Sequence, residues 1–528
     1  VKKSAHELAW ILILMIPIFL YYFFHFLPIG SNIGTGFIHG DLLSYMSNAR
    51  QYYDNEGFSL FYSNPFQLDN QGTRIYFQFQ TLLLAVLWKI TQADVGLLFV
   101  AFGMLSTFFA LWISLRFYKT YLGWNSMAHK LTFILFIFGG GLLLVAGYAF
   151  SVVEKGDFYQ AIFETFRFDP GGGLWMLNFG RNFIYPLEAY YHLISMAILF
   201  AVLRKKHLLS SILLFVIAFS HPFYGIQFLL ILIAYQLIEV VVIKEHQNNL
   251  IKALVFNVFT LALFAFYNLG WLSSFDSHAI LIKQWSLNWS FDVLSQLLAY
   301  GLLASLFVYS IRNTQSFKTF FADSFHRFLL VYFLISLLLA NHDLFIKPIQ
   351  PLHFTHGHIY IPLFLMTAPW LISFFKKSMD IRFQWLQILL FLLLISDNLL
   401  WFPAQYYNNA TRLAYVAVRE TPDQKSVLKF INQHFDSNYL LISSDLDYLA
   451  TAYTSVYTLL PHPYNTPFVA DRLRLRDEVW KNQHWHLLPL QKLIFAVNKS
   501  EVDMINALQS DGFTPIFQNT TYLVFVKH

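Results

Sequence analysis

The sequence predicts a polytopic α-helical membrane protein with a small α/β domain at its C-terminal end. Three observations carry this. Of 528 residues, 57% are hydrophobic and 19% aromatic, while only 12% are charged; an ordinary soluble domain is about 25% charged. The apolar residues gather into runs long enough to span a bilayer, at ~20 residues each. After Pro403 the composition changes to charges, turn signals and strand-like runs. One soluble core cannot hide so much apolar surface, so the solvent around most of the chain is lipid. A disordered chain, a nucleic-acid-binding protein and an ordinary soluble enzyme are excluded. The absence of Cys removes disulfides, thiolate metal sites and cysteine nucleophiles.

The chain begins at Val1 rather than Met, as a sequence trimmed at its start does. Lys2 and Lys3 precede the first apolar run, 8–29, which is too long for a signal-peptide core and lacks a small-residue cleavage site. Further runs cover 95–116, 131–150, 187–203, 208–224, 226–243, 253–275, 293–311, 327–346, 359–375 and 384–403, about eleven spans in all. The adjoining pair around His221 to Gly225 also reads as one broken helix. Lys and Arg crowd alternate connections, as in Arg204-Lys205-Lys206 and Lys376-Lys377, and thin out in the longer ones. The positive-inside rule then puts the N-terminus in the cytoplasm. Segment 75–90 is apolar but short and contains Gln78 and Gln80. If it spanned, the Arg204-Lys205-Lys206 cluster would face outward, so it reads as an interfacial or partly inserted helix.

This topology leaves two long outer loops, 30–94 and 151–186, in a membrane domain of 1–403. An odd number of spans puts the tail, 404–528, on the outer face. Within the tail, runs beginning at Tyr439 and Tyr522 read as strands, and 424–435 and 500–510 as helices, which makes a small α/β domain. No internal repeat of 20–50 residues is present.

The first outer loop opens with His39-Gly40-Asp41 and continues as an amphipathic helix with Tyr45, Ala49 and Tyr52 on one face. A carboxylate at the membrane interface can activate an acceptor or hold a metal. It can equally be a helix N-cap. Both readings of Asp41 stand on spacing alone.

Asp41, Tyr45, Arg50 and Gly57, in that order after the first span, resemble the first outer loop of the GT-C superfamily of membrane glycosyltransferases. This superfamily includes oligosaccharyltransferases, protein O-mannosyltransferases and lipid A aminoarabinose transferases. The layout is similar along the whole chain, the motif over about 17 residues, and no single family is singled out. The resemblance implies a GT-C-like fold with the α/β domain on the outer face. It also implies transfer of a sugar, with inversion, from a polyprenyl-phosphate-linked donor to an acceptor there. Asp41 would be the base or acceptor-orienting group, with Tyr45 and Arg50 beside the substrate. The expected partners are the lipid-linked donor, membrane lipid and an unidentified acceptor, with no nucleic acid. The expected location is the cell envelope, in an inner membrane of bacterial type, with the tail periplasmic or extracellular.

In the second outer loop, Asp169-Pro170 followed by Gly171, Gly172 and Gly173 forms a turn. The resemblance implies a second acidic group from this loop, for which Asp157, Glu164, Asp169 and Glu188 are candidates, Asp169 foremost. Some members carry an adjacent acidic pair here. This chain does not, so a divalent metal has no such pair to support it and the cofactor stays open. Arg181 suits a lipid-linked phosphate; as an alternative it anchors the interface. His221, before Pro222 at the end of a span, is an ionisable group at membrane depth or a hydrogen-bonded kink residue. Lys347, His353, His356 and His358 lie in the last outer loop, where related transferases place a basic residue against the carrier phosphate. His462-Pro463-Tyr464-Asn465 in the tail reads as a turn, and Ser443-Ser444-Asp445 as a strand end without a nucleophile elbow.

A transporter or flippase of lipid-linked sugars is the competing class. It calls for charges or broken helices at mid-span and usually repeat symmetry; few charges fall there, with Asp397 near the end of the last span. A non-catalytic assembly protein of the same fold is a third reading.

Overall fold

The computed structural model describes residues 2–54, 59–68, 73–170, 177–244, 247–284, 289–314, 317–377, 381–411, 417–488 and 492–527. Each of the eleven apolar runs is helical. Among the described residues, seven helices are long and apolar enough to cross a membrane: Ala5–Phe26, Val95–Tyr121, Pro186–Leu203, Pro222–Val242, Asn248–Ser274, Val293–Arg312 and Gln384–Thr411. Met127–Phe138 and Leu143–Lys155 together make an eighth, bent by 69°. His207–Ala218, Ser324–Ala340 and Tyr360–Lys376 are shorter apolar helices, as is Phe79–Thr91 in the segment expected at the interface. The protein is an integral membrane protein. Apolar side chains such as Ile13, Phe23, Leu105, Phe259 and Leu338 stay exposed on these helices, as a lipid-facing surface requires.

His207–Ala218 and Pro222–Leu237 are separate helices rather than one broken helix. Their packing is close: a Cβ on Gly225 would lie 2.8 Å from the Ala218 Cα.

The chain divides into two compact units, and it does so differently from a cut at 403. The first comprises Val1–Tyr21, Gly103–Phe264 and Leu287–Tyr407. In it, the break after Phe138 frees backbone N–H groups that a continuous helix would bond. Asp397 takes them up, its carboxylate accepting from Gly141 N and Leu144 N at 3.0 Å each. Arg327 pairs with Glu239 through two nitrogens, at 2.7 and 2.9 Å.

The second unit comprises Tyr22–Phe102, Ala265–Ser286 and Asn408–His528. The first long loop belongs here because its polar groups bond to the tail. Strands β1 (Ile33–Gly34) and β2 (Arg419–Glu420) pair antiparallel. Thr35 Oγ1 donates to Ala417 O at 2.6 Å, and Thr35 N bonds Val418 O at 3.1 Å. Ser47 Oγ and Thr451 Oγ1 lie 2.6 Å apart. The tail carries a five-stranded sheet of order β4-β3-β5-β7-β6, with β3 (Leu440–Ser443), β4 (Tyr457–Thr458), β5 (Leu493–Asn498), β6 (Thr514–Gln518) and β7 (Tyr522–Lys527). β3 runs parallel to β4 and β5, and β7 antiparallel to β5 and β6. Leu440, Ile442, Phe495, Val497, Phe513 and Phe525 fill its core with Val479 and Leu508 from the helices. The two helices expected from periodicity are Pro422–His434, opened by a Thr421/Gln424 capping box, and Val502–Ser510.

Candidate active site

Asp41 sits in a single 3-10 turn, Gly40–Leu42, ahead of the Leu43–Tyr53 helix. The turn displaces the helix start, so Asp41 is not its N-cap. His39 caps the turn instead, its Nδ1 accepting from Asp41 N at 3.3 Å. That leaves the carboxylate available. His462 Nε2 donates to Asp41 Oδ1 at 3.1 Å, and His39 Nδ1 lies 3.5 Å from Oδ2. Half of the Asp41 side chain, 53%, stays exposed, while that of His462 is 3% exposed. Tyr448 closes the floor by donating its hydroxyl to Gly40 O at 2.6 Å and accepting from Ser44 N at 3.1 Å.

The tautomer of His462 follows from its surroundings. Tyr464 N and Asn465 N both point at Nδ1, at 3.1 Å each. Two donors require a lone pair there, so the ring proton is on Nε2, where it meets Asp41. Burial pushes the Asp41 carboxyl up, but the His462 hydrogen bond, with the His39 and His462 rings beside it, outweighs burial and holds the group below its usual range. Burial pushes the His39 imidazole down; Asp41 opposes this and His462 adds to it. The result is a half-exposed carboxylate, ionised at neutral pH, with Oδ1 tied to His462.

The remaining residues singled out in the first loop are placed differently. Tyr45 is half-buried. Arg50 is buried and committed to the unit's interior: it bonds Asp54 Oδ2 at 2.9 Å, Asn432 Oδ1 at 2.7 Å and Ala452 O at 3.1 Å, over the Trp88 ring. None of these bonds involves Asp41. Gly57 lies outside the described residues.

In the first unit, the two groups expected at the donor bond each other. Arg181 NH1 donates to Asp169 Oδ2 at 2.7 Å, and both side chains are fully shut off from solvent. Arg181 Nε also donates to Asn398 Oδ1 at 3.0 Å, and its carbon lies over the Trp401 ring. Burial pushes Asp169 up to about 6 despite Arg181. This buried pair joins two points of the second loop. Asp157 caps the Phe158–Ile162 helix, and Glu164 pairs with Lys155. Gly171, Gly172 and Gly173 lie outside the described residues.

Glu188, the remaining acidic candidate, draws the separate histidines together. It lies in the first turn of Pro186–Leu203 and accepts from Tyr224 OH at 2.6 Å and His356 Nδ1 at 2.7 Å. His356 Nε2 is 3.3 Å from His353 Nδ1. His192 Nε2 reaches the Tyr224 hydroxyl at 3.4 Å, and Tyr332 OH meets His358 Nδ1 at 2.5 Å. His221 packs its ring on Tyr191, with centroids 5.0 Å apart. His353 is half-buried and stacked between Phe223 and Trp289. The turn that presents these rings is tight. His356 has φ 30° and Gly357 φ 74°, and a Cβ on Gly357 would lie 3.0 Å from the Phe179 Cα. Lys347, a few residues earlier, is exposed. Tyr224 and His192 gave no signal in the sequence, since each is one aromatic side chain within an apolar helix.

Neither cluster is arranged as a cation cage. Among the described residues, no group of three or more His, Asp or Glu side chains is placed to hold a metal ion. At Asp41 the reason is visible: both His462 ring nitrogens are already committed.

No family model matches the sequence, and no curated protein matches it. Solved structures do. The crystal structure of ArnT from Cupriavidus metallidurans bound to undecaprenyl phosphate superposes with a TM-score of 0.53 at 12% identity, over 98% of both chains. The Archaeoglobus fulgidus oligosaccharyltransferase tethered with an acceptor peptide is also similar, with a TM-score of 0.49 at 10% identity, over 93% of this chain and 69% of that one. The ArnT match shows that the chain shares the fold of that protein.

Proposed function

We propose that the protein is a glycosyltransferase that moves a sugar from a polyprenyl-phosphate-linked donor to an acceptor at the outer face of the membrane. The observation that carries this reading is Asp41: a half-exposed, ionised carboxylate held by a hydrogen bond from His462. Its setting supports the reading too, because the ArnT structure of the same fold holds undecaprenyl phosphate.

In the proposed step, an acceptor lone pair attacks the anomeric carbon. The bond from that carbon to the carrier phosphate oxygen breaks, and its electron pair leaves with the phosphate. The acceptor's proton becomes acidic as the new bond forms and passes to Asp41 Oδ2. A carboxylate of lowered pKa is a weak base toward the resting acceptor. Its help therefore falls mainly on orientation and on the positive charge that develops during attack.

The test is Asp41→Asn in membranes supplied with synthetic undecaprenyl-phosphate monosaccharides, reading release of undecaprenyl phosphate. The expected loss is about 10²- to 10⁴-fold with normal folding. Full activity in the variant overturns the reading.

A further inference from the structure

The structure assigns to His462 the role of positioning residue for Asp41: it fixes the carboxylate's rotamer and its ionisation from the tail. The role rests on the proposed function only for its consequence in catalysis; the geometry stands by itself.

Three features make His462 a fixed donor rather than a base. Its Nδ1 is held by two backbone N–H groups of its own turn, Tyr464 and Asn465. The turn is closed again by His462 N donating to Thr466 Oγ1 at 3.1 Å. The ring itself is wedged between Phe66 and Tyr448, with centroids at 5.7 and 5.0 Å. With Nδ1 occupied, the ring cannot swing or change tautomer without giving up these bonds. It therefore presents one N–H to Asp41 Oδ1 and leaves Oδ2 for the reaction. A charge-assisted bond of this kind also stabilises the carboxylate over the acid. Among the described residues, the other titratable groups facing Asp41 are His39 on its own turn and Tyr448 beside it.

This assignment makes two isosteric substitutions behave oppositely. The Asn amide oxygen sits where Nδ1 does, so His462→Asn keeps the acceptor for the turn and loses the donor to Asp41. The Gln amide nitrogen reaches the Nε2 position, so His462→Gln keeps the donor and loses the turn's acceptor. A residue that merely stabilised the turn would tolerate Asn and suffer from Gln.

The experiment is an infrared titration of the full-length protein in lipid nanodiscs, following the protonated carboxyl band that Asp41→Asn deletes. Undecaprenyl-phosphate release is measured on the same samples. We expect the Asp41 midpoint to rise in His462→Asn, because burial then acts without its main opponent, and to return toward the wild-type position in His462→Gln. The acid limb of kcat/KM should move to higher pH in His462→Asn, with a rate loss of about 10- to 100-fold that His462→Gln largely restores. An unmoved midpoint in His462→Asn, or a Gln variant shifted as far as the Asn one, overturns the assignment. If Asp41→Asn keeps full activity while the midpoints shift as expected, the glycosyltransferase reading fails and the assignment of His462 stands.

Discussion

Arg181 and Asp169 bond at 2.7 Å with neither side chain reaching solvent. Their charges cancel inside the protein, and what each loses without the other sets the first prediction. Asp169→Ala strands the buried guanidinium and should cost about 3–5 kcal/mol. Joint replacement, Asp169→Leu with Arg181→Met, should recover most of that. Thermal unfolding in detergent checks both. Equal destabilisation by the single and the double variant would count against a mutually compensating pair.

Tyr224 gives the second prediction. Its hydroxyl donates to Glu188 Oε2 at 2.6 Å and also meets His356 and His192. Tyr224→Phe preserves the ring packing and deletes only the donor. The expected loss is about 1.5–3 kcal/mol, as for a hydrogen bond to a charged group. A melting temperature equal to wild type would show that Glu188 is satisfied without Tyr224.

Asp447 sets a pH dependence in the tail. Its carboxylate accepts from Ser443 N at 2.9 Å and Leu460 N at 3.2 Å, yet burial pushes it up to about 7 from 3.8. The folded state therefore keeps its proton where the unfolded chain releases it. The stabilisation is complete below 3.8 and is lost as pH rises through about 7, at up to about 1.4 kcal/mol per pH unit within that window. Urea unfolding followed by tryptophan fluorescence should show stability falling across this range in wild type, and falling less in Asp447→Asn. Identical slopes would remove Asp447 as the cause.

Glycine substitutions separate a close approach from a strained backbone. A Cβ on Gly96 would lie 1.6 Å from Thr35 O, and Thr35 is held by Ala417 and Val418. Gly96→Ala should prevent accumulation of folded protein. Gly156 has φ +66° and open space around it, so Gly156→Ala should cost only about 1–2 kcal/mol of left-handed strain. Size-exclusion profiles of tagged protein distinguish the two, and a monodisperse Gly96→Ala would refute the first.

The spans were legible because lipid selects composition directly: a run such as 95–116 needs no partner to be recognised. The tail's strands and helices were legible by periodicity, and Leu440–Ser443 and Tyr522–Lys527 fall close to where alternation places them. Polar partnerships were not legible, because nothing local encodes them. His462 reads as a turn former from its neighbours Pro463 and Asn465, and only the fold brings its other nitrogen to Asp41. Glu188 and His356 likewise meet across 168 positions. Arg50 and Arg181 each carried a plausible ligand role as isolated cations, and each is taken up by carboxylates and amides that the sequence leaves far apart or gives no reason to join.

The strand pair β1–β2 and the Thr35 staple have a consequence for synthesis. Thr35 precedes its partner Ala417 by 382 residues, and translation proceeds at about 5–20 residues per second. The first loop must therefore wait roughly 20–80 s on the ribosome's schedule before its partners exist. During that interval its unpaired backbone and Asp41 are open to proteases and to premature collapse. Asp41 and His462 are 421 residues apart, so a nascent chain that stalls before the tail carries the carboxylate without its donor.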